Sequence, residues 1–223
     1  MSERLIGFRI LVLGLVALGM PGTGAWAGHS HYWDFSSGLD GWSFVGDVND
    51  VSEAALLGDE NAAHSILYQI VAWGPGGFVL EFDIWDLLSS ATAEGAFPDT
   101  FFASVYYVDD PATFDLQAGS FDSAIALFNL DATGITLLAG TLSASDRGPD
   151  WQHYSATLST THPYIIPVFE VLDYNLTPGD SNVLLDNVRI VPEAHAGILF
   201  AVGASLSLVF RVWARRRKCI SFR

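Results

Sequence analysis

Cysteine is almost missing from this chain: Cys219 is the single one among 223 residues. No intrachain disulfide is therefore possible, and a body of this length must be held by packing or by metal. Basic residues are nearly absent from the middle. Between Gly28 and Val191 stand only Arg147 and Arg189 of the ten Lys and Arg, whereas all but Glu3 and Glu193 of the 25 Asp and Glu fall there. So acidic a surface repels phosphate backbones and anionic lipid headgroups. It argues against nucleic acid as a partner and leaves divalent cations and neutral or cationic polymers admissible. The same middle lacks helix-period segments and a repeat of about 30 residues. It also carries no serine nucleophile elbow, phosphate loop or zinc signature.

Long apolar runs occur only at the two ends. Arg4 and Arg9 precede an apolar stretch from Ile10 to Met20, which Pro21, Gly22 and Gly24 terminate. Ala25-Trp26-Ala27 then supplies the small-x-small pattern cut by signal peptidase, so residues 1–27 are expected to be a signal peptide cleaved after Ala27. An uncleaved N-terminal anchor is the alternative, but the run falls short of the ~20 residues a span needs. At the other end no charged residue occurs from Ala196 to Phe210. The window from Ala194 to Trp213 would reach about 30 Å as a helix, one hydrocarbon core. Gly197, Ala201, Gly203, Ala204 and Ser207 suit close helix packing in lipid, and Arg211 is near enough to the end to snorkel. Arg215, Arg216, Arg217 and Lys218 follow at once and mark the cytoplasmic side. We therefore expect a transmembrane helix over 195–213 and a basic topology cluster over 215–218, with the body outside and the tip inside. A helix buried in a soluble domain would seldom be apolar all round and then end in a cationic block.

The order of these parts resembles a bacterial family. A signal peptide, an exported body, Val191-Pro192-Glu193-Ala194, a short apolar segment and an Arg-rich end are similar to PEP-CTERM proteins, the substrates of membrane proteases called exosortases. The family motif is Pro-Glu-Pro, and here Ala194 stands where the second Pro would be. The resemblance implies a sorting tail over 191–218 with its motif at 191–194, and an exosortase-type protease and signal peptidase as partners. It also implies export across the inner membrane of a Gram-negative bacterium. The tail would then be cut and the body released or attached at the surface; if the second Pro is required, the helix stays as the anchor. Cys219 beyond the span is either a lipidation site or a small apolar residue at the interface.

Within the body, residues 28–190 form one domain's length. Ten runs rich in β-branched and aromatic residues, beginning with Tyr32 to Phe35 and ending with Val183 to Val191, alternate with turn segments such as Gly74-Pro75-Gly76-Gly77 and Asp146-Arg147-Gly148-Pro149. This spacing predicts an all-β fold, an antiparallel β-sandwich of jelly-roll type. The stretch from Ile66 to Trp73 reads as one strand, and Leu87 to Asp99 as a surface loop. In Phe78 to Trp85, alternation puts Leu80, Phe82 and Ile84 toward the core and Glu81, Asp83 and Trp85 outward. Asp186-Asn187 breaks the alternation of the last strand, which points to a bulge.

Trp33-Asp34-Phe35, Gly41-Trp42 and Leu184-Leu185-Asp186-Asn187-Val188 look like the first and last strands of jelly-roll carbohydrate-binding modules. That resemblance implies a structural Ca²⁺ held by Asp186 and Asp34; the competing reading is that Asp186-Asn187 satisfies backbone groups at the bulge. Ca²⁺ takes about six to eight oxygen ligands, which an acidic body can supply.

Two functions of different class are then open. One is a non-catalytic binding or matrix module that meets exopolysaccharide through exposed rings. Trp85 is the candidate, since it shares the outward face with two carboxylates, while Trp33, Trp42, Trp73 and Trp151 are further rings that a core also needs. The other is a glycoside hydrolase. Glu81, Asp83 and Asp86 have a spacing similar to the Glu-x-Asp-x-x-Glu strand of β-glucanase-type sandwiches, although Asp86 is one methylene shorter than the acid/base Glu of that pattern. His29 and His31 form a pair without a third ligand, and His64, His153 and His162 lie far apart in sequence.

Overall fold

Valine, isoleucine and aromatic side chains at every second position make strands that bury one face, and in this chain two sheets of such strands close on each other. A computed structural model describes residues 29–58, 62–88, 98–131, 134–139, 142–173 and 181–193. The strands in chain order are β1 (His31–Trp33), β2 (Ser43–Val45), β3 (Val48–Val51), β4 (Ala54–Leu57), β5 (His64–Tyr68), β6 (Val71–Ala72) and β7 (Gly76–Leu87). They continue with β8 (Thr100–Val108), β9 (Ser123–Asp131), β10 (Gly134–Leu137), β11 (Leu142–Asp146), β12 (Trp151–Thr160), β13 (Tyr164–Leu172) and β14 (Asn182–Pro192). One sheet runs β11-β12-β7-β14-β4-β3 and the other β10-β9-β8-β13-β5-β2. In the first, β14 carries β4 along the start of one edge and β1 along its end. In the second, β13 carries β5 and β6 in the same way. The pairings are antiparallel throughout. The all-β, two-sheet architecture expected from the turn spacing is thus the one found. Residues 1–27 and the expected helix over 195–213 lie outside the described residues, and no helix among the described residues is long and apolar enough to cross a membrane.

Three strands go beyond the sequence reading. β3 and β4 form a hairpin whose two linking residues, Ser52 and Glu53, both take positive φ, 53° and 67°. That is the two-residue geometry that matches strand twist, built here without the usual Asn-Gly. β11, Leu-Ser-Ala-Ser-Asp, has little strand propensity of its own and forms by pairing along β12. The single strand expected from Ile66 to Trp73 is two, β5 and β6, with Gln69 and Ile70 between. Opposite that gap stands Pro167, whose carbonyl accepts from Gln69 N at 3.4 Å and which has no N–H to return. Gly46 is needed as glycine: its φ is +77°, and a Cβ there would meet the carbonyl oxygen of His64.

The core fills the space between the sheets. Phe82 and Phe128 stack at 6.0 Å, Phe128 and Tyr154 at 4.5 Å, and Phe169 meets Phe82 edge-on at 5.1 Å. These rings are buried, as are Leu80, Ile84, Leu57, Leu185 and Ile165 around them. Each contributes roughly 1.5–3 kcal/mol over an exposed equivalent, which is how a disulfide-free body is held. Burial of Phe78, Leu80, Phe82 and Ile84 sets the register of β7. Its odd-numbered residues therefore emerge on the far side of the first sheet, where the candidate site lies.

Candidate functional site on the outer face of the first sheet

β7 is central in its sheet, with β12 on one side and β14 on the other. In register, Trp85 stands opposite Trp151, Asp83 opposite His153 and Glu81 opposite Ser155. Across the other edge, Asp186 faces Asp83 and Arg189 faces Glu81. The ladder slips between Asp186 and Arg189, with Asn187 at φ 51°, so the bulge falls where the broken alternation put it. Beyond β12, Ser145 of β11 stands opposite His153, and Arg147 follows at the turn. On β1, Tyr32 stands opposite Arg189, and its hydroxyl donates to Asn187 Oδ1 at 2.5 Å. Of these, Tyr32, Glu81, Asp83, Ser145, Arg147, His153, Asn187 and Arg189 line an open groove of about 610 Å³.

Both basic residues of the body come to this groove. The Arg147 guanidinium lies on Asp83 Oδ2, and His153 Nδ1 bonds Asp83 Oδ1 at 2.7 Å. Asp83 points outward by alternation, yet its side chain is only 1% exposed, because these two partners cover it. Arg189 approaches Glu81 at 3.7 Å, and both remain in contact with solvent. The pairing of His153 through Nδ1 leaves its Nε2 for the groove. Asp186 holds Asn187 through both oxygens, to the backbone N at 2.6 Å and the amide Nδ2 at 2.5 Å. Its pKa is raised by burial; the Asn187 bond and Arg147 pull it partly back, and Asp34 and Glu53 push it further up.

Trp85 and Trp151 continue the groove along the strands. Both are half-buried, their rings 6.0 Å apart and inclined at 60°. Trp42 and Trp73 are core residues, and Trp33 packs on that core against Trp42. Of the rings named from sequence, then, Trp85 and Trp151 offer faces together.

The carboxylates expected to act as a pair do not meet. β7 pairs with β12 without interruption from Gly76 to Trp85, so Glu81 and Asp86, an odd number of residues apart, leave opposite faces of the strand. Asp86 accepts from Leu88 N at 2.8 Å at the strand end, and burial raises its pKa. Asp34 lies beyond β1, accepting from Ser36 N at 3.1 Å and Ser36 Oγ at 2.7 Å, bonds that lower its pKa. Asp34 and Asp186 feel each other's charge, but each carboxylate is engaged with N–H or O–H donors, and Arg147 is within range of Asp186.

The histidines stay apart in the fold, each beside a different acid. His64 Nε2 meets Glu170 at 2.8 Å, His153 meets Asp83, and His162 Nδ1 meets Asp109 Oδ1 at 2.9 Å. His31 opens β1 and stacks on Trp33. Asp99, read as the end of a surface loop, is buried and accepts from Ser181 Oγ at 2.5 Å. The residues expected to open a sorting motif belong partly to the sheet: Val191 and Pro192 are the last residues of β14, opposite Val79 and Phe78, and Glu193 N donates to the Gly77 carbonyl. Ala194 and residues 215–218 lie outside the described residues.

No protein family and no curated protein matches the chain. Among solved structures, it is similar to TmCBM61 in complex with β-1,4-galactotriose, at 12% identity over 72% of this chain and 94% of that one, with a TM-score of 0.43. It is similar to the CBM22-1 xylan-binding domain from Paenibacillus barcinonensis Xyn10C, at 15% identity over 75% of this chain and 98% of that one, with a TM-score of 0.43. A third is the enzymatically active domain of bacteriophage CBA120 tailspike protein 4, at 12% identity and a TM-score of 0.40, where 70% of this chain spans only 20% of the other. Likeness at this level says nothing of a ligand.

Proposed function

We propose that the protein is an exported, non-catalytic module that binds polysaccharide on the outer face of its first sheet. One observation carries this: Trp85 and Trp151, both half-buried and 6.0 Å apart, stand side by side next to a polar groove that has gathered both arginines of the body. Sugar rings present apolar faces that stack on indoles and hydroxyls that both donate and accept. Arg189, Glu81, Asn187, Ser145 and His153 supply both kinds of partner. The groove's charges are largely paired with one another, which suits a neutral chain better than a polyanion. Tail sorting by an exosortase-type protease, or retention by the helix over 195–213, would keep this module at the envelope, where extracellular polysaccharide is.

A binding reading is favoured over hydrolysis because Glu81 and Asp86 cannot flank one bond from opposite faces, and Asp83 is covered by Arg147 and His153. The test is affinity electrophoresis of the mature protein over a panel of neutral and acidic polysaccharides. Trp85→Ala with Trp151→Ala is expected to weaken the best ligand at least about tenfold, in line with ~1–1.5 kcal/mol per lost stacking partner. Binding indifferent to both rings, or none across the panel, would sink the reading. Hydrolysis of β-glucan that disappears in Glu81→Gln would replace it with the enzyme.

A further inference from the structure

We propose a second site, for a divalent ion of the zinc or manganese type, formed by Asp109, Asp122 and His162. It lies at the other end of the molecule's chemistry, where β8 leaves for β9 and β12 turns into β13. Ligand atoms of the three side chains lie within 4.8 Å of one another. His162 Nδ1 is already 2.9 Å from Asp109 Oδ1, close to the edge of a coordination polyhedron with bonds of about 2.1 Å. The ligands are also held in place: Asp109 N donates to Asp122 Oδ2 at 2.7 Å, and His162 N donates to Thr160 Oγ1 at 2.9 Å.

A second observation points to an occupant. Tyr107, near the end of β8 and two residues before Asp109, lies nearly parallel to the His162 ring with centroids 6.1 Å apart. It is only 3% exposed, and its hydroxyl has no hydrogen-bond partner among the described residues. It borders, with His162 and Ser123, an open cleft of about 610 Å³ between the sheets. A buried hydroxyl without a partner needs a reason. A water carried by an ion on His162 is the partner for which this cleft has room.

The donor set selects the ion. One imidazole nitrogen with two carboxylates suits a borderline divalent ion, whereas Ca²⁺ prefers an all-oxygen shell of higher number. Three protein ligands leave positions for water. On binding, the proton shared by His162 Nδ1 and Asp109 goes to solvent and the ion takes its place.

The experiment titrates the detergent-solubilised full chain with Zn²⁺, Mn²⁺ or Ca²⁺ alone, following heat of binding and melting temperature. Zn²⁺ or Mn²⁺ near 100 times its dissociation constant should raise the melting temperature by roughly 5–10 °C. Asp109→Asn, Asp122→Asn and His162→Gln should each weaken binding at least tenfold. Tyr107→Phe should melt no lower without ion, since it removes an unpaired buried hydroxyl, and yet bind the ion several-fold more weakly. The double variant His29→Ala, His31→Ala should bind as the parent does. Overturning results are no binding of either ion, binding that survives Asp122→Asn and His162→Gln, binding lost with the His29 and His31 pair, or Ca²⁺ bound as tightly as Zn²⁺.

Discussion

Asp83 and Asp186 stand opposite each other on neighbouring strands and solve burial differently. Asp83 is covered by Arg147 and His153, so its charge is compensated where it sits. Asp186 has neutral partners from Asn187 and two further acids in range, so burial raises its pKa above the usual 3.8. A carboxyl raised in the folded state contributes stability below its unfolded pKa and loses it as pH rises through the folded value. Asp186→Asn is therefore expected to melt higher than the parent at pH 7, with the gap closing as pH falls through the raised folded value toward 3.8 and absent below that. Melting curves at pH 3, 5 and 7 check this; a gap independent of pH would mean that shape, not charge, separates the two. The outward direction of Asp83 was legible in the strict alternation of β7. Its sealing was not, because Arg147 and His153 come from strands joined to β7 only by the fold.

At the scale of elements, β14 does two jobs. It pairs along β7 for most of its length, and its last residues are the start of the expected sorting motif. A chain ending at Glu193 keeps Ile190, Val191 and Pro192 opposite Leu80, Val79 and Phe78. It should melt within about 2 °C of a longer chain. Ending at Val188 removes the buried Ile190 and frees the start of β7, a loss of at least ~3 kcal/mol from the missing core side chain and unpaired ladder. Urea unfolding of the two truncations measures the difference; equal midpoints would show that the strand end contributes nothing. It follows that a protease acting within the motif meets residues held in a sheet, and that a cut after Glu193 leaves the sandwich whole. The strands readable beforehand were those with β-branched or aromatic alternation. β4, Ala-Ala-Leu-Leu, and β11 were not, since their place depends on partners, and Pro167 splits β5 from β6 across a sheet rather than within the sequence.

Over the whole molecule, acid outnumbers base and the described ion pairs are few. Two are made by arginines and three by histidines. Screening therefore has little attraction to remove and much repulsion to relieve. Raising ionic strength from about 0.01 M to about 0.1 M shortens the Debye length from ~30 to ~10 Å and should raise the melting temperature by a few degrees. A fall would mean that the groove's arginine pairs outweigh the repulsion between the remaining acids. What the amino-acid sequence determined by itself was the class of fold, the outward face of β7 and the bulge at Asn187, because alternation and turn chemistry act over a few residues. The two arginines between Gly28 and Val191 could be counted there, but not located. Only the tertiary structure decided that both serve one groove beside a pair of tryptophans, that Glu81 and Asp86 part company, and that Asp109, Asp122 and His162 meet. Those are matters of register between strands distant in the chain, and register is set by the packing of the whole core.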